Sequence, residues 1–364
     1  MKFGLFYQIQ VPKPWTEESE ARRIWEALDQ IAYAEEVGYD SVWFSEHHFR
    51  PEWSHNSAPD LTLAAVSQRT SRIRMGVGVV LAPIHHPLHT ASRMATLDIL
   101  SHGRVDVGIG RTGYPYQLTP YGSGLKDTRG MWEEYAQVLP KIWTEEVVSY
   151  EGQYFQIPPR EVLPKPLQKP HPPLWSACAS EETTRLTGEM GLGALVGSEG
   201  GPEKVAEVLE LYNKTVKAST HEGIHVNHQN ALMTAGYCHE SSKVVEERGT
   251  ELVAWYLNQQ RERARLVWRG VDPASVPPDY QGYYERDQHL AAGPHPGDPT
   301  PADVVRQGTK FCIGTPDDCI KFYEAYEAMG VEQVFLLCAI GPAANEEVMN
   351  TIRLFGKYVI PEFQ

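Results

Sequence analysis

The 364-residue chain is 41% hydrophobic and carries 33 lysines and arginines against 47 aspartates and glutamates, for a formal net charge of −14. That is enough apolar material for one large barrel, and the acidic balance argues against non-specific nucleic-acid binding and against docking on an anionic membrane. No stretch approaches the roughly 18 apolar residues that span a bilayer, and the apolar run at the N-terminus is too short for a secretory signal.

Residues 2–8 alternate and then run apolar, which predicts a first strand. Ile24, Leu28, Ile31, Ala32 and Val37 recur at helical spacing over 17–37, and Gly38 ends that helix. A short strand at 41–44, a helix at 59–70 behind Pro59, a β-rich run at 73–81, a helix at 88–101 and a strand at 105–109 follow. Residues 145–173 break the rhythm with a hairpin (147–150 and 154–157) and a proline-rich stretch from Pro158 to Pro173. Proline locks φ, so this stretch reads as a stiff connector. The alternation resumes with a strand at 174–177, a helix at 181–190, a strand at 192–196, a helix at 202–218 and a strand at 227–235. A strand at 333–338 and a helix at 344–357 close the series.

A second break at 266–300 is rich in Pro and Gly, which predicts an irregular insertion without helix or strand. Trp268, Tyr280, Tyr283, Tyr284 and Leu290 nevertheless give it apolar groups to bury, and a lid over the active site is the expectation, with a dimer-contact arm as the alternative. About eight strand–helix units close most naturally into a single α/β domain over residues 1–364, a (β/α)8 TIM barrel with insertions. A doubly wound open sheet is the competing architecture. The five cysteines are odd in number and lack a CxxC spacing, which reads as free thiols in a reducing cytoplasm.

Barrel active sites form at the C-terminal ends of the strands. That rule selects Glu46, His47 and His48 after the second strand and Gly78 and Val79 at the end of the third. It also selects Gly110-Arg111-Thr112-Gly113-Tyr114 after the fourth and Ser176-Ala177-Cys178-Ala179-Ser180 after the fifth. Ser180 and Thr183 have the pattern of a helix N-cap. A helix N-terminus near Arg111 suits a phosphate, provided that Glu181 and Glu182 point outward; a plain cap is the alternative. His47, His48, His55, His85, His86 and His89 invite a metal reading. No HExxH motif or clear carboxylate partner accompanies them, so no metal is expected, and one histidine acting as acid or base is preferred. GxGxxG and GxSxG motifs are absent. Trp15, Phe49, Trp53, Tyr114, Tyr116 and Tyr121 near the mouth hint at an apolar or aromatic organic substrate, although packing is the commoner fate of aromatics.

Several segments together resemble the bacterial luciferase family of flavin-dependent monooxygenases. They are Met1–Phe6, Asp40–Phe49, His86-Pro87 with Leu97-Asp98 and Ser101–Arg111, and Lys165–Trp175; Ile313–Pro316 adds a weaker match, and 236–305 has no counterpart. The resemblance implies FMN, received as FMNH2 from a separate flavin reductase, and usually a homodimer. It also implies activation of O2 as a flavin 4a-(hydro)peroxide that oxygenates a small organic substrate by hydroxylation, epoxidation or Baeyer–Villiger chemistry. By position His47 corresponds to the catalytic histidine, flanked by Glu46 and His48. Arg111, Ser180 and Thr183 correspond to phosphate ligands, with Tyr114 and Ala179 beside them in the cofactor site. Gly78–Val79 falls at a non-prolyl cis peptide under the flavin ring, and Gly110 stands where luciferase itself has a reactive cysteine. Two other functions compete: deazaflavin-dependent hydride transfer on the same barrel, and a non-catalytic flavin-binding subunit, which an intact His47 and Arg111 disfavour.

Overall fold

Parallel strands covered on both faces read as mostly apolar runs, and Ser41–Phe44 and Val105–Gly110 are buried at every position. The structure, a computed structural model, describes residues 1–112, 114–221 and 225–364. Its strands are β1 (Lys2–Tyr7), β2 (Ser41–Phe44), β3 (Arg74–Leu81), β4 (Val105–Gly110), β5 (Val148–Glu151), β6 (Gln156–Arg160), β7 (Leu174–Ala177), β8 (Gly193–Gly197), β9 (Asn230–Cys238), β10 (Cys312–Gly314) and β11 (Gln333–Leu337). Its helices are α1 (Ser19–Glu36), α2 (Pro59–Ser67), α3 (Pro87–Leu100), α4 (Pro115–Leu118), α5 (Thr128–Thr144), α6 (Glu181–Glu189), α7 (Pro202–Ala218), α8 (Ser242–Val267), α9 (Gln281–Ala292), α10 (Pro301–Gln307), α11 (Pro316–Glu327) and α12 (Asn345–Leu354).

The parallel order β1-β2-β3-β4-β7-β8-β9-β11 returns to β1, which closes an eight-stranded (β/α)8 barrel and rules out the open sheet. β10 extends the far end of β9, with Cys312 opposite Gly236, and β5–β6 is a separate antiparallel hairpin. No helix among the described residues is long and apolar enough to cross a membrane.

Aromatic side chains set the barrel packing. Trp43 stacks on Phe335 at 4.8 Å and meets Trp175 edge-on at 5.5 Å. Its register partner on β3 is Gly76, where an added Cβ would come within 2.2 Å of the Trp43 ring. The indole therefore needs a glycine opposite it.

The differences from the sequence reading have local causes. Pro158 and Pro159 belong to β6 rather than to a connector; an edge strand tolerates proline because no neighbour needs its missing N–H. The segment 266–300 is not free of helix: α9 occupies Gln281–Ala292, preceded by short turns at Pro273–Ser275 and Pro278–Tyr280. Pro273, Pro277 and Pro278 lie ahead of the helix and Pro294 and Pro299 after it, Gly293, at φ 99°, closes it, and Gly282 falls in its first turn. The helices α5 and α8 went unread. α8 runs for 26 residues, and Gly249, Gln259 and Arg263 stand among its buried positions, which dilutes its apolar face in the sequence.

Gly76→Ala is expected to destabilise the barrel by roughly 1–3 kcal/mol through overpacking, and pairing it with Trp43→Phe should recover part of that loss. Denaturant unfolding of the two single variants and the double variant measures this; strict additivity would show that the two positions do not share the space.

Candidate active site

The loop after β2 is clamped by Asn56, whose side-chain amide donates to the Ser45 carbonyl at 3.0 Å while its backbone carbonyl accepts from the His47 N–H at 3.2 Å. The clamp turns Glu46 inward, where it is 3% exposed. Its carboxylate accepts from the Leu81 N–H at 3.2 Å, His48 Nε2 at 2.8 Å and His85 Nε2 at 2.6 Å. An ionised carboxylate only accepts, so both imidazoles carry a proton on Nε2. His48 Nδ1 lies 2.9 Å from the Tyr121 hydroxyl. Burial raises the Glu46 pKa, but the hydrogen bonds from His48 and His85 outweigh it and hold the carboxyl at about 2. The carboxylate partner that the sequence reading lacked for its histidines is thus Glu46: one ligand atom each from Glu46, His48 and His85 lie within 4.8 Å of one another.

His47 points elsewhere. Its Nδ1 is buried without a partner. Burial and then the nearby Arg50 guanidinium push its pKa well below the ordinary histidine value, so the imidazole is neutral at neutral pH.

Across the mouth, the Gly78–Val79 peptide is cis. A Cβ on Gly110 would lie 2.5 Å from Val79 Cγ2, so Val79 leaves room only for glycine there. Ser180 caps α6, accepting from the Thr183 N–H at 3.2 Å and lying 2.9 Å from the Thr183 hydroxyl; Ala179, just before it, is exposed. Arg111 forms an ion pair with Asp279 and lies 4.8 Å over the Tyr280 ring. Arg129, in the first turn of α5, was not selected from the sequence; its Nη2 lies 3.0 Å from the same Asp279 oxygen, and it also pairs with Glu182. Glu182 therefore faces a cation instead of simply pointing outward. Two guanidinium groups converge on one anion beside a capped helix N-terminus, with the Asp279 carboxylate standing in for any external anion. These residues fit a phosphate monoester.

Asp279 comes from the 266–300 segment, which seals this side: the Tyr280 hydroxyl donates to the Thr112 carbonyl at 2.9 Å. Gly113 lies outside the described residues. Tyr114 joins the two halves of the mouth, since its hydroxyl bonds Arg263, which also holds Asp287 at 2.9 Å.

The Glu46 carboxyl titrates near 2 in the folded chain and near 4.5 when unfolded, so the unfolded state binds the extra proton between those values. Its stabilisation is complete above about pH 4.5 and is lost as pH falls through about 2; a gap of ~2.5 units corresponds to the order of 3 kcal/mol. Denaturant-derived stability should therefore fall more steeply from pH 5 to 2 in the wild type than in Glu46→Gln. Parallel curves would show that the carboxylate is not held this way.

The profile of the luciferase-like monooxygenase family matches residues 1–333. The chain is 24% identical to the oxygenase component of the flavin-dependent trigonelline monooxygenase of Acinetobacter baylyi, over 100% of this chain and 96% of that one. It is 32% identical to an F420-dependent glucose-6-phosphate dehydrogenase of Kineococcus radiotolerans, over 54% of this chain and 57% of the relative. Among solved structures, the monooxygenase RslO1 of Streptomyces bottropensis superposes with a TM-score of 0.81 at 26% identity, covering 100% of both chains. The oxygenating constituent of 3,6-diketocamphane monooxygenase from Pseudomonas putida, solved with FMN, superposes with a TM-score of 0.79 at 21% identity, covering 100% of this chain and 98% of that one. The chain belongs to the luciferase-like monooxygenase family and is an oxidoreductase.

Proposed function

We propose that the chain is the oxygenase component of a two-component monooxygenase that takes FMNH2 from a separate flavin reductase and uses O2 to oxygenate a small organic substrate. The observation that carries this reading is the pair Arg111 and Arg129 converging on one carboxylate at the Ser180-capped start of α6. That cradle suits the FMN phosphate, with Arg111, Arg129, Ser180 and Thr183 as its holders. The cis Gly78–Val79 peptide, Gly110 and Tyr114 would border the ring. FMN bound by a protein of the same fold, and the words "oxygenase component" in the name of a relative, support the choice of cofactor and of a reductase partner.

When bound, reduced FMN supplies the electrons for oxygen activation. The chain's own residues do the rest. His47, neutral and with Nδ1 unpartnered, accepts or donates the single proton that the reaction moves. Glu46, locked by three donors, fixes the loop on which His47 stands. The 266–300 segment excludes water as a lid. In this reading Asp279 gives way to the phosphate, because Arg111 and Arg129 then bind one anion or the other. The five cysteines, all buried and unpaired, agree with a cytoplasmic enzyme, and a homodimer goes with the same reading. Deazaflavin-dependent hydride transfer is the second reading, favoured by the F420-dependent relative.

Titration with FMN, riboflavin and a deazaflavin decides the cofactor. Arg111→Ala is expected to weaken FMN by about 10- to 100-fold, the scale of a hydrogen bond to a charged group, and to leave riboflavin nearly unchanged. Asp279→Asn should tighten FMN, because the competing anion is gone. Equal losses of FMN and riboflavin in Arg111→Ala would remove the phosphate assignment. His47→Ala should keep FMN affinity and lower substrate-dependent oxygen uptake by roughly 100-fold or more; unchanged uptake would move the proton-transfer role away from His47.

A further inference from the structure

The buried arginines of this chain are paired, with one exception. Arg104, 7% exposed, donates to the carbonyls of Ser101, Ile73, Ser67 and Thr70. Arg263, also 7% exposed, is held by Tyr114 and Asp287, and Arg111 by Asp279. Arg50 is 5% exposed, and its Nη2 is fully buried without a partner. Among the described residues no acceptor or carboxylate meets its guanidinium.

Burying a charged group without a partner costs several kcal/mol. Part of that cost is returned by the rings: the guanidinium lies 4.8 Å over Trp53 and 5.9 Å from the Tyr114 ring centre. Such contacts give about 1–2 kcal/mol and use none of the N–H donors for a hydrogen bond. The N–H edge, which carries its hydrogen-bonding capacity, stays unused. Burial first, and then the neighbouring Arg263 charge, lower the Arg50 pKa to about 9, which leaves it cationic at neutral pH.

The position of this edge is informative. Arg50 sits three residues beyond His47, and its charge is one of the forces that keep His47 neutral. The loop around it is fixed by the Arg50–Ser54 bridge and by Trp53 packed on Tyr256 at 5.0 Å. Arg50 belongs to the β2 side of the mouth, whereas Arg111, Arg129 and Ser180 belong to β4, α5 and α6. The phosphate cradle already has its own cations, so a second anion is what Arg50 can take.

We propose that Arg50 is the anchor for an anionic group on the organic substrate, a carboxylate by preference, with Trp53, Tyr114 and Tyr256 enclosing the body of the molecule beside His47. A carboxylate matches the planar guanidinium edge with two parallel hydrogen bonds, and it neutralises the one buried cation that the fold leaves uncompensated. The inference deepens the monooxygenase reading by naming its substrate class. It rests on that reading for the reaction, but the anion site itself does not depend on the flavin.

The test uses the full chain, with and without FMN. Benzoate, phenylacetate and hexanoate are each titrated against their own neutral amides, with tryptophan fluorescence and calorimetry as readouts. At least one acid is expected to bind ten-fold or more tightly than its amide. Arg50→Met should abolish that preference and leave FMN affinity unchanged, and Arg50→Lys should keep part of it. No acid exceeding its amide in the wild type overturns the proposal, and that comparison does not depend on any variant folding. So does a preference that persists in an Arg50→Met protein with an unchanged melting profile. Loss of FMN and riboflavin alike in Arg50→Met, with no acid preference, would also overturn it and assign the guanidinium to the flavin ring. Acid preference without FMN binding keeps the anion anchor and defeats the flavin reading instead, so the two failures are distinguishable.

Discussion

The arrangement of the mouth depends on one buried carboxylate. Glu46 draws the loop after β2, the end of β3 and the turn that carries His85 onto a single group. Through His48 it also reaches Tyr121, in the excursion that follows β4. A charge this deeply placed is stable only when it is hydrogen-bonded, so the three donors are held as tightly as the acceptor. The loop that carries His47 and Arg50 inherits that rigidity. A reacting group on a loop is precise only when its support is locked in this way.

Charge in the rest of the mouth follows the same accounting. Arg111 and Arg129 share Asp279, and Arg263 shares Asp287 with Arg286. The pairs made by Arg111, Arg129 and Arg263 join the 266–300 segment to the rest of the chain. The segment thus contributes both the anions that neutralise the mouth and an apolar cluster of Trp268, Val276 and Tyr280. Its attachment is electrostatic on one side and apolar on the other. The electrostatic contacts can be exchanged for another anion with little net change in charge.

The barrel and half of the site were legible in the sequence. The strands advertise themselves because both faces are buried, and the boundaries 41–44 and 174–177 coincide with β2 and β7. Ser180 and Thr183 were legible because capping is a local interaction over three residues. Asp279 was not, because its partner Arg111 is 168 residues away and no periodicity links them. Arg129 was missed with α5, a helix the reading passed over, and the isolation of Arg50 is a property of its surroundings that no pattern encodes. Segment 266–300 was misread because composition reports how often a chain must turn, and here the turns flank a helix.

Two neighbouring residues end with opposite ionisation. Glu46 and His47 are both withdrawn from water, yet Glu46 keeps its charge because donors surround it, while burial, reinforced by the Arg50 guanidinium, drives His47 to its neutral form. Environments that separate adjacent titratable groups in this way suit them to different roles. The charged carboxylate is held by three donors and serves as structure. The neutral imidazole has a free nitrogen and no competing partner, which is the state an acid–base group needs before its proton moves. The same Arg50 guanidinium that keeps His47 neutral is itself uncompensated, so an anion docking on it would relieve part of that bias and raise the affinity of His47 for a proton.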